Sequence, residues 1–195
     1  MTQQMSDRLL FEGVSCELIC WAGGELFDPF AHGLQPVRNC TALDRGVLAH
    51  YRVDERLWLD ELMLDHALPG PPERKPRLGR GPAINGVSPR THPDMGFTSH
   101  YPRLDLPLDF DGGLLIGDGD ACERPGRGSP PAWVYLRLRE LVFAQGELIE
   151  AVDHSEIAAA LRERDRRFGD AHRVMAYPAA EAWRQAFAYD YGFCE

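Results

Sequence analysis

Apolar and polar residues alternate along this chain in short runs separated by turn-forming pairs, a rhythm of strands rather than long helices. In RLLFEGVSCELICW, Glu12-Gly13 stands between two apolar runs and predicts a tight hairpin, with Cys16 and Cys20 on one side of its second strand. In GVLAHYRVDERLWLDELML, Val47, Ala49, Tyr51 and Val53 alternate with Leu48, His50 and Arg52. Asp54-Glu55 then predicts a turn into a strand through Leu57, Leu59 and Leu62. In WVYLRLRELVFAQGELIEAVD, Val134, Leu136 and Leu138 face one way, and Tyr135, Arg137 and Arg139 the other. Gln145-Gly146 supplies the turn, and Leu148-Ile149 begins the return. The loops are too short for helical crossovers, so antiparallel pairing is expected throughout.

DFDGGLLIGDGDA, residues 109–121, mixes aspartates and glycines around an apolar run. A calcium loop would need a glutamate at its twelfth position, where Asp120 stands, and no leucine run at its centre. A phosphate loop would lead directly into a helix. What remains is a short buried strand, Gly113 to Gly117, left through an Asp118-Gly119 turn. Between about residues 69 and 101 the chain is irregular and includes the proline-rich PGPPERKPRLGRGP, expected to be an exposed, mobile loop. Helical spacing begins only afterwards. Asp153 and Glu156 resemble a capping box ahead of Ile157, Leu161 and Phe168. A second helix is expected from Pro178, with Ala179, Trp183, Phe187 and Tyr191 as its apolar stripe. The predicted architecture is α+β, one domain over residues 1–195. It is mainly an antiparallel β-sheet of successive hairpins, with two C-terminal helices (helical part about 153–193) packed on one face or end.

Charge and composition narrow the function. A net charge of −9 argues against nucleic acid as a partner. Residues 1–70 hold 11 acids and 5 bases, so the acidic surface belongs mainly to the first third. Its acids Glu12, Glu17, Glu25, Asp28, Asp54, Glu55, Asp60 and Glu61 are candidates for contact with a basic protein. No apolar run approaches the ~20 residues that span a bilayer, and the start MTQQMSDRLL lacks the pattern of a signal peptide. A cytoplasmic location without membrane contact is therefore expected. Five irregularly spaced cysteines fit that compartment as free thiols.

Motifs for nucleotide binding, serine hydrolysis and zinc proteolysis are absent from the sequence, and no cofactor is implied. Consecutive Asp153-His154-Ser155 diverge at a helix start, so capping accounts for them better than a catalytic triad. The candidate metal ligands are His92, Asp94 and His100, with Asp109, Asp111, Asp118 and Asp120 as possible additions.

The segments SDRLLFEGVSCELICW, NCTALDRGVLAHYRVDERLWLDELML, LDFDGGLLIGDGD and VYLRLRELVFAQGELIEAVD together resemble a group of small uncharacterised bacterial β-rich proteins. In size and style that group is similar to the immunity proteins of bacterial toxin systems. The resemblance implies a non-catalytic binding protein that neutralises a toxin by occlusion, and it carries over no catalytic residue. The alternatives are a small metal-dependent or small-molecule enzyme built on residues 92–120, and a structural or assembly subunit.

Overall fold

The computed structural model describes residues 4–38, 40–71, 75–120, 132–168 (backbone only for 164–168) and 186–191. The three hairpins form at the predicted turn pairs. β1 (Arg8–Phe11) and β2 (Val14–Gly23) are joined by Glu12 and Gly13, at φ 51° and 75°. Two successive positive φ values give the turn whose twist matches that of its strands. β3 (Val47–Val53) and β4 (Leu57–Leu64) form the second hairpin. Four short strands follow: β5 (His66–Ala67), β6 (Leu78–Gly79), β7 (Ser99–Tyr101) and β8 (Leu106–Pro107). β9 (Gly112–Asp120) leads to the third hairpin, β10 (Tyr135–Ala144) and β11 (Glu147–Asp153), and then to α1 (Ser155–Phe168).

The main sheet runs β11-β10-β9-β2-β1-β3-β4-β7, with β8 also on β4. All pairs are antiparallel except β1 with β3, which is parallel. That pair corrects the expectation of antiparallel pairing throughout. The connection from Gly23 to Val47 is long enough to return the chain in the direction of β1. The sheet rolls until its hairpin ends meet. Leu57 N–H donates to Gly146 O at 2.8 Å and Leu148 N–H to Glu55 O at 2.9 Å. Inside the roll lies the main core, including Leu9, Leu57, Leu59, Leu62, Leu64, Leu114 and Phe143. Each such leucine contributes up to roughly 1.5–3 kcal/mol of burial. On the convex side of β9 and β10 a second cluster joins Leu115 and Leu138 to Ala158 of α1, with Phe187 and Tyr191 packed against it.

The expected pair of C-terminal helices is corrected to one α-helix among the described residues, in a mainly β fold. Residues 178–185, where the second helix was expected to begin, lie outside the described residues. Residues 186–191 form turns and bends, so Phe187 and Tyr191 pack on the sheet without a helix to space them. α1 does begin beside Asp153, whose carboxylate accepts the Ser155 N–H at 2.8 Å.

Other local expectations also change. A bulge between Leu18 and Cys20 reverses strand parity, so Cys16 enters the main core while Cys20 packs on the convex side. Cys20 is disulfide-bonded, so the five cysteines are not all free thiols. Disulfides belong chiefly to oxidising compartments, and the cysteine argument for the cytoplasm lapses. The predicted mobile loop is partly anchored: Ile84 is buried, Tyr101 donates its hydroxyl to Pro82 O, and Asn85 donates to Leu104 O. Asp118 and Gly119 continue β9 instead of turning out of it. Leu136 is exposed whereas Tyr135 is buried, its ring lying where a side chain on Gly117 would stand.

Candidate protein-binding surface

Where the sheet closes, the β3–β4 turn, the segment after Leu104 and the start of β11 bring acids from distant parts of the chain together. Arg52 pairs with Asp54 at 2.6 Å, Asp105 at 3.0 Å and Asp60 at 3.8 Å. Arg56 pairs with Asp109 at 3.2 Å and Glu147 at 3.7 Å. Both guanidiniums also lie against the ring of Trp58, 5.1 and 5.7 Å from its centroid, within cation–π range. The indole N–H of Trp58 donates to Asp54 Oδ1, and this bond is the first cause holding the Asp54 carboxyl below its ordinary range.

Adding the exposed turn residue Glu55 gives six carboxylates over two guanidiniums, a local charge of −4. The two signs are not equally accessible. The Arg52 and Arg56 side chains are 28% and 27% exposed, whereas Asp109 reaches 89%. The arginines therefore act as a half-buried base, and the carboxylates form the rim that meets solvent. Exposed pairs of this kind add little stability, which leaves charge presentation as the main physical consequence of the arrangement.

Of the sequence-predicted acids, Asp54, Glu55 and Asp60 join this surface, and Glu61 lies just beyond on β4. Glu12 instead pairs with Arg139 at 2.7 Å, and Glu17 accepts the Tyr135 hydroxyl at 2.8 Å. Asp28 accepts the Phe30 N–H within its own turn, and Glu25 is exposed on the connection to β3. Sequence proximity missed Asp105, Asp109 and Glu147. The available clue was arginine at 52 and 56, two cations inside an acid-rich hairpin.

Glu61 belongs to a histidine cluster. Its Oε2 meets His50 Nδ1 at 2.6 Å and its Oε1 meets His100 Nε2 at 2.5 Å, while His92 lies against His100 with ring centroids 4.7 Å apart. Burial pushes the Glu61 carboxyl up, and the bonds from His100 and His50 outweigh it, leaving it below its ordinary value. Removing the carboxylate with Glu61→Ala strands a buried imidazole. We expect a loss of about 1–3 kcal/mol in urea denaturation. An unchanged midpoint would mean that the two histidines do not depend on Glu61.

The predicted metal ligands are only partly brought together. His92 and His100 are adjacent, but His92 Nδ1 accepts the N–H groups of Asp94 and Met95, and His100 Nε2 is engaged by Glu61. Asp109 and Asp111 stand before and at one end of β9, Asp118 and Asp120 at the other, about 20 Å away at the rise of a strand. Among the described residues no group of three or more His, Cys, Asp or Glu side chains is arranged to hold a metal ion. No helix among them is long and apolar enough to cross a membrane.

A second carboxylate, missed by sequence reasoning, lies on the convex face. Glu140 is 1% exposed and accepts the Ala188 N–H at 3.0 Å, the Tyr191 hydroxyl at 2.8 Å and His154 Nε2 at 3.1 Å. Its strand parity with the apolar Leu138 and Val142 was the available clue. The arrangement anchors residues 186–191, and its ligands come from the chain itself, so unlike the acidic rim it is turned inward. Compared with protein families, curated proteins and solved structures, the chain matches none.

Proposed function

We propose that this is a non-catalytic protein-binding protein of the immunity or antitoxin kind, which neutralises a basic toxin by covering its working surface. The observation that carries this reading is the exposed carboxylate rim over a half-buried arginine and tryptophan base. A field of one sign speeds encounter with a partner of the other, and a partly exposed tryptophan is a common anchor once contact is made.

Deleting the gene while keeping its neighbouring open reading frames tests the biological claim. Loss of growth or of competitive fitness, together with toxicity of a neighbouring product expressed alone, is expected. Unaffected growth and competition with no toxic neighbour would end the proposal. The charge argument has its own check. Reversing two exposed rim acids, with Glu55→Lys and Asp109→Lys together, should slow association with that toxic neighbour about tenfold at low salt. The difference should shrink as salt is raised. An association rate indifferent to both substitutions would remove the rim from the interface.

A further inference from the structure

We propose that the free edge of β11 is a strand-addition site, where an extended, basic segment of the partner pairs with Ala151 and Asp153. The inference rests on the acidic-surface reading above and specifies how the partner engages.

The hydrogen-bond parity identifies the open groups. His154 N–H donates to Leu138 O on β10, so in this antiparallel pair His154 and Val152 turn their backbone groups toward β10. Ala151 and Asp153, opposite Leu141 and Arg139, therefore turn theirs away. β11 ends the sheet order, and beyond Leu148 no backbone bond on its outer side is found among the described residues. Leu148 itself is already taken by Glu55. A partner strand would thus continue the line begun by residues 55–57. The opposite edge differs: β7 is met on its outer side by Arg90, which exchanges two backbone bonds with His100.

Side-chain chemistry selects the occupant. Glu147, Glu150 and Asp153 lie along the strand, so pairing with a second copy would bring three acids to three acids. A strand with alternating cationic side chains would be complementary instead. Acids and a bulge can also serve to protect an edge from unwanted pairing. Protection does not account for Ile149, which is 63% exposed in the middle of this edge. An apolar side chain between acids suits an amphipathic strand laid alongside.

The test uses the full chain, isotopically labelled, and a blocked seven-residue peptide alternating arginine and valine. Saturating peptide should slow amide exchange at Ala151 and Asp153 at least tenfold. Ala151→Pro, which removes an N–H that β10 does not use, should weaken binding by a similar factor. Ile149→Lys provides a second variant that leaves the backbone alone, and it should weaken binding too. Peptide-induced shifts confined to Trp58 and its carboxylates would overturn the edge site while leaving the acidic surface in place. Absence of binding anywhere would overturn both. Sedimentation as a dimer that protects the same two amides without peptide would make a second copy the occupant, and the proposal would fail.

Discussion

Gly146→Ala is expected to destabilise the protein by about 3–4 kcal/mol in chemical denaturation, with Gly13→Ala costing only about 1–2 kcal/mol. The two glycines occupy the same position in the same kind of turn, at φ 77° and 75°. An alanine at either one bears the cost of the left-handed region. Their surroundings differ. A β-carbon on Gly13 meets nothing within 4 Å, while one on Gly146 would stand 2.0 Å from the carbonyl oxygen of Leu108. That oxygen is backbone and cannot rotate away. Gly146 also accepts the Leu57 N–H and donates to Phe110 O, so displacing it strains the contacts that close the rolled sheet. Equal losses for the two variants would show that the hairpin ends are not held together as described.

The same comparison shows what sequence could and could not convey. Glu12-Gly13 and Gln145-Gly146 were legible because a tight turn is a local event, decided by two residues that tolerate positive φ. The placement of β9 between β2 and β10 was not legible. Alternation reports which face of a strand is buried, and it carries no information about which strand lies beside it. Bulges compound the difficulty. One extra residue near Ile19 moves Cys20 to the opposite face from Cys16, and another near Asp60 lets Leu59 and Leu62 share the interior. The spacing of Phe187 and Tyr191 suggested a helix for a different reason. Phe187 rests against His154, with ring centroids 4.3 Å apart, and a side chain on Gly113 would collide with the Tyr191 hydroxyl. Contact with two separate points on the convex face sets their separation. The acidic surface was half legible for a similar reason: Asp54, Glu55 and Asp60 are neighbours in sequence, whereas Asp105 and Asp109 reach them through the pairing of β8 with β4 and Glu147 through closure of the sheet.

Glu140→Ala is expected to cost about 3–5 kcal/mol, because it leaves several buried donors without their acceptor. Glu140→Gln separates charge from shape. The amide side chain is similar in size, yet it cannot accept at both ends the bonds now made by His154, Ala188 and Tyr191. Burial alone would raise the Glu140 carboxyl. The bonds from His154, the Ala188 N–H and the Tyr191 hydroxyl more than offset that, and the carboxyl lies below its ordinary value. The Tyr191 hydroxyl is pushed up, first by burial and then by Glu140, which keeps it protonated and donating. A carboxyl depressed in the folded state contributes stability that is present above its unfolded value, about 4.3 for glutamate, and is lost as pH falls through the folded one. Wild type should therefore exceed Glu140→Gln in stability at pH 7, with the gap narrowing below about pH 4. Amide exchange locates the effect: in Glu140→Gln the Ala188 and Tyr189 amides should exchange faster at pH 7, while Leu59 and Leu62, inside the roll, remain protected. A gap that stayed constant down to pH 3, or faster exchange spread evenly through the sheet, would show that Glu140 does not hold residues 186–191 through its charge.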